Sequence, residues 1–141
     1  RAKACADLGR LLAESDFISI HVPLTETTRH LNGVHELAAM KSTAIIVNTA
    51  RGPVIDHAAL TAGLQAGRIA GAALDVTETE PIDLNDPLLK LFNVVITPHI
   101  GSARFATRLR MAELAVDNLL DVLVGRMPRR CASSERQAEH C

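Results

Sequence analysis

The chain has 141 residues, enough for one domain with a substantial apolar core. Its formal net charge of −1 produces no strong field that would attract nucleic acid or an acidic membrane surface. Aromatic residues make up only 2% of the chain, with no Trp and no Tyr, which also argues against a nucleic-acid surface that stacks bases. Aliphatic side chains must form the core, as is typical of a parallel sheet covered by helices.

The sequence carries no signal for a membrane, an oxidising compartment or a metal. No apolar stretch approaches the roughly 20 residues of a membrane-spanning helix. The first ten residues, RAKACADLGR, lack an initiator Met and the apolar segment of a signal peptide, so we expect the sequence to begin inside a longer protein. Three widely spaced cysteines and six scattered histidines match no zinc spacing and no disulfide framework. We therefore expect a reduced, cytoplasmic protein without a metal site.

Apolar periodicity and β-branched runs predict helices that alternate with strands. In chain order the predicted elements are a helix near 7–14, a strand at 17–21, a helix at 33–40, a strand at 43–49, a helix between Asp56 and Gly67, a strand at 69–76, a short helix at 87–92, a strand at 93–97 and a long helix at about 103–124. This alternation favours right-handed βαβ crossovers, so we predict an α/β, Rossmann-like parallel sheet with helices on both faces. A complete doubly wound sheet usually has about six strands, so four are an incomplete one.

End signals define two of these helices. Asp56 is expected to cap the helix that stops at Gly67. Ser102 is expected to cap the last helix, which would end at Gly125. An apolar stripe runs along this helix and should pack on a sheet or a partner subunit: Phe105, Leu109, Ala112, Val116, Leu119 and Leu123. Because residues 126–141 are polar and unpatterned, we expect them to form a disordered tail.

Three polar residues follow apolar, strand-like runs. Arg51 follows TAIIVNTA, Glu80 follows IAGAALDV and a short polar stretch, and His99 follows NVVITP. Ligands of open α/β sheets bind beyond the carboxyl ends of the strands. A cation, a carboxylate and an imidazole that converge there would form a proton-transfer site for an anionic substrate. Taken singly, each has a plainer interpretation as a solvated turn residue, a surface charge and a loop histidine.

Four segments together resemble the D-isomer-specific 2-hydroxyacid dehydrogenases: SDFISIHVPLTETTRHLNG, IIVNTARGPVID, AGAALDVTETEP and NVVITPHIGSA. The likeness runs from about residue 7 to residue 125, and ALDVTETEP and TRLRMAELAVDNLL are most similar to the glyoxylate/hydroxypyruvate reductase branch. The resemblance implies that residues 1–125 are part of an NAD(P)-binding domain. It also implies hydride transfer between NAD or NADP and a small 2-keto or 2-hydroxy acid, in a protein that is a homodimer when complete.

The same resemblance assigns roles to individual residues. It implies that Arg51 grips the substrate carboxylate and keto oxygen, that His99 is the acid/base, and that Glu80 is its carboxylate partner. It implies that Asp75 accepts a hydrogen bond from the nicotinamide carboxamide. The other implied cofactor contacts, besides Arg51 and His99 themselves, are His21, Val22, Pro23, Thr49, Ala50, Ile100, Gly101 and Ser102.

The sequence departs from the family in two ways. It contains no G-x-G-x-x-G loop, and the residues that read the ribose and the first substrate-binding lobe should lie upstream. The stretch after Gly125 also fails to match. Three hypotheses therefore stay open: the C-terminal portion of an active dehydrogenase, a non-catalytic fragment that cannot hold a pyrophosphate, and an interaction module in which the helix at 103–124 pairs with a partner chain.

Overall fold

Four parallel strands form one sheet in the computed structural model, which describes residues 3–128. The strands follow one another in space in the order of the chain: β1 (Phe17–Ile20), β2 (Ile45–Asn48), β3 (Gly71–Leu74) and β4 (Val94–Ile96). All three strand pairs are parallel. The structure confirms the predicted α/β class with a Rossmann-like parallel sheet and helices, and places each strand inside its predicted range.

The connections are helical, as predicted. Between the strands lie α2 (Val34–Ala39), α3 (His57–Gln65) and two short 3₁₀ helices at Gly52–Val54 and Pro87–Lys90. α1 (Leu8–Glu14) precedes the first strand, and α4 (Phe105–Leu123) follows the last. The Asp56 side chain caps α3 by accepting a hydrogen bond from the backbone N–H of Ala59 at 2.9 Å. Gly67 follows α3 with φ +63°, a conformation that glycine adopts without strain, so both predicted ends of this helix are confirmed.

One face of the sheet carries the core of the first part of the chain. Burial alternates along β1 and β2, and the buried Ile18 pairs with the buried Ile46. Leucines from the three short helices join the same cluster: Leu12, Leu37, Leu60 and Leu64. Burying one such side chain stabilises a fold by about 1.5–3 kcal/mol. This packing fixes the strands whose carboxyl ends carry the predicted site.

The chain divides into two compact units after Ile100. The described part of the second unit is dominated by α4, and its start corrects one prediction. Arg104, and not Ser102, occupies the N-cap position, without a side-chain capping bond. Gly101 and Ser102 lie in a turn before it. At the other end Gly125 has φ +74°, as a helix stop requires.

The apolar stripe of α4 is exposed in the structure: Phe105, Leu109, Ala112, Val116, Leu119 and Leu123. Its packing on a sheet or a partner subunit therefore stays a prediction. The disordered tail predicted for residues 126–141 stays a prediction, and only its first three residues are described. The backbone N–H of Arg126 donates to the carbonyl of Asp121 at 2.7 Å, and its Nε donates to Oδ1 of Asp121 at 3.0 Å. Residues 129–141 of that predicted tail lie outside the described residues.

Neither a membrane span nor a metal cluster occurs in the described part of the chain. Between residues 3 and 128, no helix combines the length and the apolar character that crossing a bilayer requires. In the same range, no three His, Cys, Asp or Glu side chains are grouped so that they could hold a metal ion.

Candidate active site

The carboxyl ends of all four strands lie side by side at one edge of the sheet. Ile20 is paired with Asn48, Asn48 with Leu74, and Leu74 with Ile96. The predicted site residues of the first unit follow these ends: His21, Val22 and Pro23 after β1, Thr49, Ala50 and Arg51 after β2, Asp75 and Glu80 after β3, and His99 and Ile100 after β4. The sheet register therefore brings them to the edge at which α/β sheets bind ligands.

His99 and Glu80 form a direct pair at this edge. Nδ1 of His99 lies 2.9 Å from Oε2 of Glu80. Oε1 of Glu80 accepts a hydrogen bond from the backbone N–H of Thr77 at 3.2 Å, which orients the carboxylate. The side chains of His99 and Glu80 are 50% and 40% exposed, so the pair is accessible. With Nδ1 directed at the carboxylate, Nε2 is the ring nitrogen that the pair with Glu80 does not use.

The backbone of His99 is in an unusual conformation. Its φ of +53° lies in the left-handed region, which few residues other than glycine adopt. Such a conformation costs about 1–3 kcal/mol and persists only where the surroundings hold it. Here the N–H of His99 donates to the carbonyls of Asp75 at 2.9 Å and Thr97 at 3.0 Å. Observed strain of this kind at a strand end supports a functional role for the residue.

Asp75 ties the end of β3 to the segment that carries His99. Its Oδ1 accepts hydrogen bonds from the hydroxyl of Thr97 at 2.5 Å and from the backbone N–H of Ile100 at 2.9 Å. The side chain is buried. Asp75 was predicted for a cofactor contact, whereas Thr97, whose hydroxyl positions this carboxylate, was missed. The contact of Asp75 with a nicotinamide stays a prediction.

Arg51 is presented by a turn that a buried asparagine fixes. Asn48, only 1% exposed, donates from Nδ2 to the carbonyl of Arg51 at 2.9 Å and accepts at Oδ1 from the N–H of Ala50 at 3.0 Å. Nη1 of Arg51 donates to the carbonyl of Ala50 at 2.6 Å, and the side chain is otherwise exposed. Asn48 was missed among the predicted residues, although an amide that ends an apolar strand signals a buried polar contact.

Gly52 lets the turn after β2 contact the loop after β3. A Cβ atom at Gly52 would lie 1.9 Å from the carbonyl oxygen of Thr77 and 2.5 Å from the backbone nitrogen of Glu78. Only a residue without a side chain permits this approach of one backbone to another. The contact joins the turn that presents Arg51 to the loop that presents Glu80.

The electrostatic setting keeps Glu80 ionised. The hydrogen bond with His99 is the main influence that lowers the pKa of Glu80, and burial opposes it. The N–H of Thr77 and the positive charges of His99 and Arg51 lower that pKa further. Because the pKa of Glu80 is lowered in the folded state, its pair with His99 stabilises the fold at pH values above the ordinary pKa of glutamate. That contribution is lost as the pH falls through the lowered pKa.

A cavity of about 440 Å³ opens beside the pair. Asp75, Glu80 and His99 supply polar groups, and most of the remaining lining is apolar, including Ile96 and Leu89. A few convergent polar groups in an apolar cavity are typical of small-molecule sites. The structure thus brings Asp75, Glu80 and His99 together at one cavity. The predicted cofactor contacts all stay predictions, and Gly101 and Ser102 belong to the second unit.

The histidine–carboxylate pair lies at the edge of the parallel sheet at which Rossmann-like domains bind their ligands, and its groups are of the kind that act in acid–base catalysis. The family model for the D-isomer specific 2-hydroxyacid dehydrogenase NAD binding domain matches residues 1–101, and the chain belongs to this family. This confirms the family predicted from the sequence and the NAD-binding class of its domain.

Individual relatives agree with this assignment. The chain is 52% identical over 132 residues to a glyoxylate/hydroxypyruvate reductase B of Escherichia coli, covering 94% of this chain and 40% of the relative. The solved structure of the TT0316 protein from Thermus thermophilus superposes with a TM-score of 0.86 at 48% identity, covering 94% of this chain and 44% of that one.

A further solved relative bears on the cofactor. It is a D-isomer specific 2-hydroxyacid dehydrogenase from Xanthobacter autotrophicus Py2 in complex with NADPH and MES, with a TM-score of 0.77 and 38% identity. The match covers 92% of this chain and 52% of that one. NAD and NADP are therefore both cofactors of the family, as predicted. The chain spans between two fifths and about half of the length of these relatives.

Proposed function

We propose that the complete protein that contains this chain is an NAD- or NADP-dependent reductase of small 2-keto acids, of the glyoxylate and hydroxypyruvate type, that forms D-2-hydroxy acids. The observation that carries the proposal is the 2.9 Å pair of His99 and Glu80 beside a cavity at the carboxyl edge of the sheet. The 52% identity to a glyoxylate/hydroxypyruvate reductase supports the substrate class. The direct test is oxidation of NADH or NADPH that depends on a keto acid.

The chemistry assigns the proton to His99. Reducing a keto group requires a hydride at the carbon, which the nicotinamide supplies when bound, and a proton at the oxygen. An imidazolium can donate that proton near neutral pH because the unperturbed pKa of histidine lies in this range. Glu80 accepts the hydrogen bond from Nδ1 and holds the ring in one orientation, which leaves Nε2 for the transfer. In the reverse direction the neutral ring accepts the proton from the hydroxyl group.

The residues present fit the nicotinamide end of the cofactor. Asp75 places a carboxylate at the cavity, where an amide N–H₂ group could donate to it. The residues present do not fit the pyrophosphate, because the sequence contains no glycine-rich loop that could bind it. We propose that groups outside these 141 residues hold the pyrophosphate and form the substrate lobe. In this proposal residues 1–125 are part of the NAD(P)-binding domain. The complete protein is proposed to be a cytoplasmic homodimer.

Arg51 is proposed to bind the substrate carboxylate. A guanidinium presents a planar fork of donors that matches both carboxylate oxygens, whereas an ammonium supplies charge without that geometry. We therefore expect Arg51→Lys to raise the KM for the keto acid by about ten- to a hundredfold, the effect of losing one charge-assisted hydrogen bond. Initial rates of the complete protein at saturating cofactor measure this.

The matched control for Arg51→Lys is Arg10→Lys. Arg10 is an exposed arginine on α1 whose Nε contacts Glu14 at 2.8 Å, and a lysine can keep that pairing. The control should leave the KM for the keto acid unchanged. If Arg51→Lys behaves like the control, Arg51 has no role in binding the substrate.

A further inference from the structure

The loop between β3 and the 3₁₀ helix at Pro87–Lys90 presents Glu80 to His99. We call residues 75–86 the Glu80 loop. Apart from Glu80 itself, two of its acidic side chains make ionic contacts outside the loop, Glu78 near its start and Asp86 at its end. Neither has a role in the proposed chemistry, so their contacts raise the question of what they hold in place.

Glu78 connects the loop to two other segments. Its Oε1 accepts a hydrogen bond from Nε2 of His30 at 2.9 Å. Its Oε2 accepts a hydrogen bond from the backbone N–H of His57, the first residue of α3, at 3.3 Å. Both carboxylate oxygens are therefore used, two residues before Glu80. A carboxylate at the start of a helix is also favoured by the helix dipole.

His30 is itself held firmly. Its φ of +52° lies in the left-handed region, and its N–H donates to the carbonyl of Pro53 at 2.8 Å. Its Nδ1 lies 3.9 Å from Oδ2 of Asp56. Pro53 belongs to the 3₁₀ helix that directly follows Arg51. The contact of His30 with Glu78 thus links the Glu80 loop to the segment that presents Arg51.

Asp86 anchors the other end of the loop to the same helix. Its Oδ2 lies 2.8 Å from Nε2 of His57, and its Oδ1 accepts the N–H of Leu88 at 2.9 Å. The Asp86 side chain is 14% exposed. His57 therefore contacts both ends of the Glu80 loop, with its backbone at Glu78 and its side chain at Asp86. Of the two side chains that anchor the loop to α3, Glu78 is the nearer to Glu80 along the chain, only two residues before it.

We propose that Glu78 is a positioning residue: by fixing the Glu80 loop to His30 and to the start of α3, it sets the Glu80 carboxylate opposite His99. The kinetic consequence of this inference rests on the proposed function of Glu80 and His99, whereas its structural consequence does not. A displaced Glu80 would lose the hydrogen bond that chiefly lowers its pKa. The His99 ring would also lose the contact that orients it.

Two variants test the proposal in the complete protein. Glu78→Ala removes both contacts, while Glu78→Gln keeps an oxygen for His30 but cannot also accept from the N–H of His57. We expect Glu78→Ala to lower kcat about ten- to a hundredfold with little change in the KM for the keto acid, as expected for a misplaced catalytic group. The side-chain carboxyl NMR titration of Glu80 should show its pKa rising towards the ordinary value. Glu78→Gln should show both effects in smaller measure.

The control is Glu26→Ala, which removes an exposed carboxylate from the connection between β1 and α2. It should change neither kcat nor the pKa of Glu80. A wild-type protein that reduces no keto acid would defeat the proposed function, and the NMR titration would then decide the positioning role by itself. Should Glu78→Ala fail to fold, Glu78→Gln carries the same test. An unchanged Glu80 pKa in a folded Glu78 variant overturns the inference.

Discussion

Replacing His99 with asparagine is expected to lower the kcat of the complete protein by about 10²–10⁴-fold, the usual contribution of a positioned general acid. The KM for the keto acid should change little, since His99 is assigned to the proton and Arg51 to the substrate carboxylate. Asparagine suits this experiment because it tolerates the left-handed backbone, with φ +53°, better than most residues do. Its amide cannot exchange a proton near neutral pH. Steady-state rates over a range of keto-acid concentrations separate the two constants.

The control for His99→Asn is His35→Asn, the same chemical change at an exposed position of α2. Circular dichroism and thermal melting of both variants establish that each is folded. The acid/base assignment requires that only His99→Asn loses turnover. Equal kcat values for the two variants would remove His99 from the chemistry.

Substituting Gly52 with alanine is expected to have the largest effect on stability. The added Cβ would lie 1.9 Å from the carbonyl oxygen of Thr77, so one of two backbone segments must move. Overpacking typically lowers the free energy of unfolding by about 1–3 kcal/mol. Because the clash here is with backbone atoms, which no side-chain rotation can relieve, we expect a loss at or above the upper end of that range. The movement would displace both Arg51 and the Glu80 loop. We therefore expect a lower midpoint of thermal unfolding together with a higher KM for the keto acid.

Gly63 provides a matched control for Gly52→Ala. It lies inside α3, where an added Cβ would meet its nearest atoms at 4.0 Å. Alanine in a helix interior is favoured over glycine by about 1 kcal/mol, so Gly63→Ala should be neutral or stabilising. A Gly52→Ala protein that melts at the same temperature as Gly63→Ala and keeps the wild-type KM would contradict the close contact.

The α/β class could be predicted because each strand is a short run of aliphatic residues between helix signals. Strand ends were predicted less well for a physical reason. The predicted strand 69–76 is only Gly71–Leu74 in the structure, yet Ile69 and Val76 just outside it are buried. Apolar character reports burial, whereas a strand ends where the backbone pairing ends. Ser102 was predicted as a cap because serine often precedes a helix, but the turn before α4 uses it instead.

The candidate site was predictable only in part. Arg51, Glu80 and His99 could be placed at the sheet edge because each follows a strand, and the family resemblance supplied the pairing of Glu80 with His99. The contact of His30 with Glu78 spans 48 positions of the sequence, and no local spacing predicts it. The role of Gly52 was equally hidden, because it depends on the approach of two backbone segments. Long-range contacts of this kind follow from the tertiary fold and not from the pattern of one segment.

The most direct test of the proposed activity follows the absorbance of NADH and of NADPH when glyoxylate or hydroxypyruvate is added to the complete protein, with the configuration of the hydroxypyruvate product determined. The proposed roles of His99, Glu80 and Arg51 predict that at least one cofactor is oxidised only when a keto acid is present. They also predict that the product formed from hydroxypyruvate is the D-isomer. Binding of NADH or NADPH without reduction of any 2-keto acid would contradict them.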